Sequence, residues 1–166
     1  VRPGDRVRAG DVLAELADAD RELLEKAEAA VSTSYAPYSH YHVGSAVRMA
    51  NGMIFTGSNQ ENIAFPAGVC AERVAVFTAV SNYPDVPVES IAITAVADSF
   101  KVAEPVPPCG VCRQAIMEYE IKSGRKIRLV MGCQGGKVYI INGMDSLLPL
   151  TFHENGLGKT NLTSKI

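Results

Sequence analysis

Residues 70–82 read Cys-Ala-Glu-Arg-Val-Ala-Val-Phe-Thr-Ala-Val-Ser-Asn. Ala71 to Asn82, with Val74, Ala75, Val76, Phe77, Ala79 and Val80 apolar in succession but for Thr78, reads as a helix, which Tyr83-Pro84-Asp85 ends. A helix apolar on every side is expected to be buried. Glu72 and Arg73 stand in its first turn, directly after Cys70. A second stretch, Pro108-Cys109-Gly110-Val111-Cys112, opens another predicted helix, from about Gly110 to Ser123, stopping at Gly124. Two helix starts can therefore converge on one place.

The partial positive charge at a helix N-terminus lowers a thiol's pKa and favours the thiolate. Cys112 follows Cys109 by three and lies about one turn on, near the same face. Three sulfur ligands suit zinc and leave the fourth tetrahedral position open. A water in an open position is ionised near neutral pH. Glu72, two residues after one ligand, is placed to handle that water's protons. The macrodipole alone would explain a Glu in a first helical turn, but not its apolar surroundings. Three thiolates leave excess negative charge around a dication. Arg73 can withdraw it by hydrogen-bonding to sulfur, where the plainer reading is a surface salt bridge.

Upstream, a helix is predicted from Asp18 or Asp20, either of which can cap it, with Leu23, Ala27, Ala30, Val31 and Ser34 on one face. Pro37 forbids its continuation, and the loop 34–41 is rich in aromatics. Val43 to Met49 reads as a strand, Asn51-Gly52 as a two-residue hairpin and Met53 to Ser58 as its partner. That strand runs into the polar cluster Asn59-Gln60-Glu61-Asn62, which suits a ligand-facing strand end or an ordinary polar loop. Downstream, the run Ile91 to Val96, apolar but for Thr94, suggests a central strand covered on both faces. A proline-bearing loop, 98–107, precedes the second cysteine motif. Strands are expected at Ile127 to Met131 and Val138 to Ile141, then a short helix at Met144 to Leu148, ended by Pro149. The alternation implies an α/β fold, a three-layer α/β/α domain around a mixed five-stranded sheet.

The 166-residue chain is long enough for one domain with a real core. Its net charge of −2, with Lys and Arg scattered, shows no electrostatic footprint for nucleic acid. No apolar run reaches membrane-spanning length and no signal peptide stands out, so a cytoplasmic setting is expected. In that setting the cysteines, Cys70, Cys109, Cys112 and Cys133, point to metal rather than disulfides. Residues 1–17 form an extension. Its first sixteen, with two Gly-Asp turns, resemble a hairpin of biotinyl or lipoyl carrier domains and of the C-terminal domain of pyrimidine nucleoside phosphorylases. The carrier's Lys-Met attachment motif is absent, and a disordered or fusion remnant is preferred. Residues 18–153 form the main domain and 154–166 an irregular tail.

The Cys-x-Glu and Pro-Cys-x-x-Cys pair is the signature of zinc nucleobase deaminases. With Tyr35-Ala36-Pro37-Tyr38-Ser39, Asn59-Gln60-Glu61-Asn62, Arg113-Gln114 and Leu147-Leu148-Pro149, the chain resembles the small, homotetrameric, three-cysteine class of cytidine deaminases over roughly residues 20–152. The resemblance implies hydrolysis of cytidine and 2′-deoxycytidine to uridine and 2′-deoxyuridine, with release of ammonia, by a zinc-bound hydroxide attacking C4. It implies Cys70, Cys109 and Cys112 as zinc ligands and Glu72 as proton shuttle. Asn59 and Glu61 would hold the ribose, and Ala71 would offer its backbone to the base carbonyl. Tyr41 would pack against the pyrimidine, and Phe152 would reach a neighbouring subunit's site. Arg73 would sit behind the ligands. Three positions depart from the family pattern: Tyr41 where Phe is usual, Pro107 where Ser is common and Phe65 where Tyr is common. Two rivals stand beside this reading. One is a structural four-cysteine zinc module that includes Cys133. The other is a deaminase of bases in polymers or of a nucleoside antibiotic such as blasticidin S. His40, His42 and His153 are further residues able to bind metal.

Overall fold

The computed structural model describes residues 16–153. Helix α1 spans Asp18–Ala30, strands β1 and β2 Tyr41–Met49 and Ile54–Ser58, and helix α2 Ala71–Asn82. Strand β3 (Val88–Ala97), helix α3 (Gly110–Ser123), strand β4 (Arg128–Gly132) and strand β5 (Val138–Asn142) follow. The sheet order is β2-β1-β3-β4-β5. Only β3 and β4 run parallel, joined by α3, and the other pairs are antiparallel. The expected mixed five-stranded sheet is thus present, with β3 at its centre.

Strand alternation sorts the core into two layers. Ala46, Ala92 and Val130 point to one face and pack with Leu23, Leu24 and Ala27 of α1. Val47, Ile91, Ile93, Leu129 and Met131 point to the other and pack with Ala75, Val76 and Ala79 of α2 and Ile116 and Met117 of α3. This is the three-layer arrangement. Side chains on the α1 face are small, so that helix lies close to the sheet. A Cβ at Gly44 would stand 2.0 Å from the Ala27 carbonyl oxygen.

The structure corrects three local expectations. Neither Asp18 nor Asp20 caps α1: the N-cap is Ala17, without a side-chain hydrogen bond. Asp20 is drawn instead into a two-oxygen pairing with Arg128 of β4, at 2.8 to 3.1 Å. Helix α2 is not covered all round within one chain. Its Ala71, Glu72, Ala75, Val76 and Ala79 face is buried, but Phe77 is 45% exposed, because the helix forms an outer layer. The predicted helix at 144–148 is one 3₁₀ turn, Met144–Ser146. The readings made for residues 1–15 and 154–166 fall outside the described residues.

Candidate active site

Cys70 is the N-cap of α2 and Cys109 the N-cap of α3, each in extended backbone. Cys112 sits in the first turn of α3 and is fully buried. The three sulfurs all lie within 4.8 Å of one another. Those of Cys70 and Cys109 are 3.8 Å apart. Tetrahedral zinc with Zn–S bonds of about 2.3 Å separates its sulfurs by about 3.8 Å, so this donor set fits the ion.

Position depends on how closely α2 lies on the hairpin. Gly57 of β2 passes under its first turn, where a Cβ would stand 2.5 Å from the Ala75 nitrogen and 2.8 Å from the Ala71 oxygen. Nη2 of Arg73 reaches back to the Cys70 sulfur at 3.8 Å. The Cys112 thiol, then Arg73 and Cys109, hold the Cys70 thiol down to about 5, and the same exchange with Cys70 pushes Cys112 up. Glu72 is 4% exposed, and burial raises its carboxyl above the ordinary range.

Of these groups Cys70, Glu72 and Cys109 border a cleft of about 720 Å³, a usual size for a small-molecule site. Its wall includes Tyr38, Tyr41, Val43, Asn59, Glu61, Phe65, Val106 and Pro107. Among the described residues the lining has two carboxylates, Glu61 and Glu72, and no Lys, Arg or His.

Residues 17–125 match the family model of the cytidine and deoxycytidylate deaminase zinc-binding region. The chain belongs to that family. A cytidine deaminase of Halalkalibacterium halodurans is 42% identical over 100 residues, 60% of this chain and 71% of that protein. One from Sporosarcina psychrophila is 41% identical over 99 residues, 59% of this chain and 68% of that protein. The crystal structure of cytidine deaminase from Burkholderia pseudomallei superposes with a TM-score of 0.70 at 33% identity. It covers 80% of this chain and 98% of that one.

Within this deaminase-family cleft the expected ligand-facing residues differ in how free they are. Asn59 accepts from the Val43 N–H at 2.8 Å and donates to the Tyr41 carbonyl at 2.9 Å, so each end of its amide already holds β1. Glu61 accepts from the N–H groups of Tyr38 and Ser39 and from the Ser39 hydroxyl. A carboxylate offers about four acceptor sites, so one is left over on a residue that lines the cleft. Tyr41, the first residue of β1, stacks on Phe100 with ring centroids 6.2 Å apart. Phe65 meets Tyr38 edge-on at 5.9 Å. Ala71 is buried at the helix start. Phe152 is 76% exposed and does not line its own chain's cleft.

The alternative ligands are elsewhere. Cys133 donates to the Ala103 carbonyl at 3.2 Å and packs in a separate cluster with Ala95 and Val102. It does not join the three-cysteine group, which removes the four-cysteine module. His40 and His42 both face Asp98, each at 3.3 Å, and His153 is outside the cluster. The reading of the sequence missed Asp98 and the anchoring of Glu61 by Ser39. Both pairings join segments far apart in the chain, and no local pattern announces them.

Proposed function

We propose that this deaminase-family chain hydrolyses cytidine and 2′-deoxycytidine to the corresponding uridines and ammonia, a step of pyrimidine salvage. The carrying observation is Glu72, a buried carboxylate in the cleft beside three converging thiols. Cys70, Cys109 and Cys112 would hold zinc, which when bound supplies Lewis-acid activation of water near neutral pH. Glu72 takes one proton from the water and passes it to ring N3, then takes the second from the oxygen now bonded to C4 and passes it to the departing amine. The water oxygen forms the new bond to C4 and the C4–N bond breaks. Arg73 draws negative charge from Cys70. Glu61, with its remaining acceptor site, and Asn59, with one amide hydrogen still unused, meet the ribose hydroxyls. Tyr41 lies along the base, and the Ala71 backbone meets its carbonyl.

The charge of the cleft favours nucleosides over nucleotides as the proposed substrates. A 5′-phosphate would enter a lining that, among the described residues, carries Glu61 and Glu72 and no cation. Nucleosides are therefore the proposed substrates, and deoxycytidylate is not. Further proposals concern setting and assembly. The four cysteines form no disulfide, which suits a reducing compartment, in keeping with the cytoplasm. No helix among the described residues is long and apolar enough to cross a membrane. Residues 18–153 would form the deaminase domain, with 1–17 and 154–166 outside it. Exposed Phe77, Val111, Leu150 and Phe152 support assembly into a homotetramer in which Phe152 enters a neighbour's site.

Zinc analysis paired with the absorbance loss on conversion of cytidine to uridine tests the main reading. About one zinc per chain and turnover of both nucleosides, without turnover of deoxycytidylate, is expected from three-thiolate ligation. Rapid turnover of blasticidin S with none of cytidine would overturn it.

A further inference from the structure

Arg113 directly follows the buried Cys112 in α3 and is itself partly buried. Its Nε donates to the Pro108 carbonyl at 2.7 Å and its Nη1 to the Leu147 carbonyl at 3.1 Å. Among the described residues it joins no ion pair. Its planar fork therefore bridges two backbone carbonyls from distant parts of the chain.

Those two carbonyls have different owners. Pro108 is the last residue before Cys109, and Leu147 follows the 3₁₀ turn Met144–Ser146. The segment after β5 is held along α3 by two more side chains. Glu120 lies two helical turns beyond Arg113, on the same face. Its buried carboxylate accepts from the N–H of Ile127 at 2.7 Å and of Met144 at 3.1 and 3.2 Å. Gln114 grips the backbone of Phe152 at both ends, donating to its carbonyl at 3.0 Å and accepting from its N–H at 3.2 Å. Of these three, Arg113 is the one that also reaches the metal-binding turn.

The turn needs such a hold. Cys112 is buried and Cys70 half-buried, but Cys109 is exposed, and no side-chain hydrogen bond caps the helix it begins. Packing alone therefore constrains Cys109 least. We propose that Arg113 is a positioning residue for the metal site: by spanning the Pro108 and Leu147 carbonyls, it fixes Cys109 against Cys70 and Cys112 and couples that turn to residues 144–152. The proposal rests on the reading of the three cysteines as a zinc site.

Bridge and charge are separable by substitution. Lys keeps the charge but has a compact ammonium on a flexible stem, which does not reproduce a fork spanning two carbonyls. The test compares wild type, Arg113→Lys and Arg113→Ala, each zinc-loaded and full length, by the rate of zinc transfer to a chromogenic chelator. Thermal melting and the division between kcat and KM are recorded alongside. Both variants should release zinc on the order of 10–100-fold faster, the usual loss when a group behind a metal ligand is removed. Lys should track Ala, with kcat falling while KM for cytidine stays within about threefold, since Arg113 does not line the cleft. Should Arg113→Ala fail to fold, Arg113→Lys carries the comparison by itself. Release at the wild-type rate from a folded variant, or full restoration by Lys, overturns the bridge while leaving the zinc reading intact. A wild-type protein that holds no zinc overturns the site reading, and the bridge's role with it.

Discussion

Glu72 is buried at 4% exposure with its carboxyl pushed upward by desolvation, an arrangement that costs stability and suits the proton transfer proposed for it. Glu72→Gln keeps the shape and removes the proton carrier. It should lower kcat about 10²–10⁴-fold while zinc content is unchanged and the melting temperature is equal or higher. Turnover near the wild-type level would remove Glu72 from its role. Asn59 makes the opposite combination, because its amide both faces the cleft and ties Val43 and Tyr41 of β1. Asn59→Ala should therefore raise KM and also destabilise the fold by about 1–3 kcal/mol, lowering the melting temperature by several degrees. A raised KM at unchanged melting temperature would show that the two backbone bonds contribute nothing. The contrast explains what the sequence could convey at this scale. The cysteines and Glu72 are legible because zinc chemistry needs those residue types at fixed spacing from helix starts. Asn59's hold on β1 and Asp20's pairing with Arg128 are not, because the first depends on strand register and the second on how α1 packs on the sheet.

Helices α2 and α3 were readable to their ends, since Tyr83-Pro84, Pro108 and Gly124 punctuate them and Gly124 takes the left-handed conformation at φ +65°. Their closeness to the sheet was not readable, because it rests on what lies opposite. Gly57 shows this best. Its missing side chain leaves room for the Ala71 oxygen and Ala75 nitrogen, backbone atoms that yield only if the whole helix shifts. Gly57→Ala should push the start of α2 outward, destabilise the protein by about 1–3 kcal/mol or more and weaken zinc retention together with activity. A stable variant with normal zinc and kcat would mean that the helix start tolerates displacement. The loop 34–41 is governed by a charge instead. The Ser39 hydroxyl, then the backbone N–H groups of Tyr38 and Ser39, hold the Glu61 carboxyl below its ordinary range. A lowered folded pKa stabilises at pH values above the unfolded value of about 4.3 and loses that contribution only as pH falls through the folded pKa. The Glu61 side-chain carboxyl should accordingly stay ionised from neutral pH down to about 4.3, its carboxyl carbon resonance moving to the protonated position only in stronger acid. Protonation of Glu61 already near pH 6 would contradict the anchor.

For the molecule as a whole, the alternation of periods in the sequence carried the layered α/β/α plan, and the run 91–96, apolar but for Thr94, marked the central strand. Strand order and the single parallel pair, β3 with β4, emerge only from packing. The apolar surface left open by one chain is what the proposed homotetramer would bury. Phe152 at 76% and Leu150 at 90% exposure leave the fold on a segment pinned to α3, and Phe77 faces outward from α2. Closed homo-oligomers bury such surface symmetrically, with each interface repeated. Light scattering should therefore give four times the 17.7 kDa chain mass, and a monomer that is fully active would end the shared-site proposal. Sharing has a sharper consequence. If Phe152 completes a neighbour's cleft, Phe152→Ala chains lack the aromatic contribution but keep Glu72, and Glu72→Gln chains lack the proton carrier but keep Phe152. In mixed tetramers, a cleft with Glu72 from one parent can receive Phe152 from the other. With equal, random mixing, about a quarter of the sites become complete. Co-expressed chains, assayed at cytidine concentrations below KM, should then exceed the average of the two parents. Activity equal to that average in proven mixed tetramers would place Phe152 outside the neighbouring site.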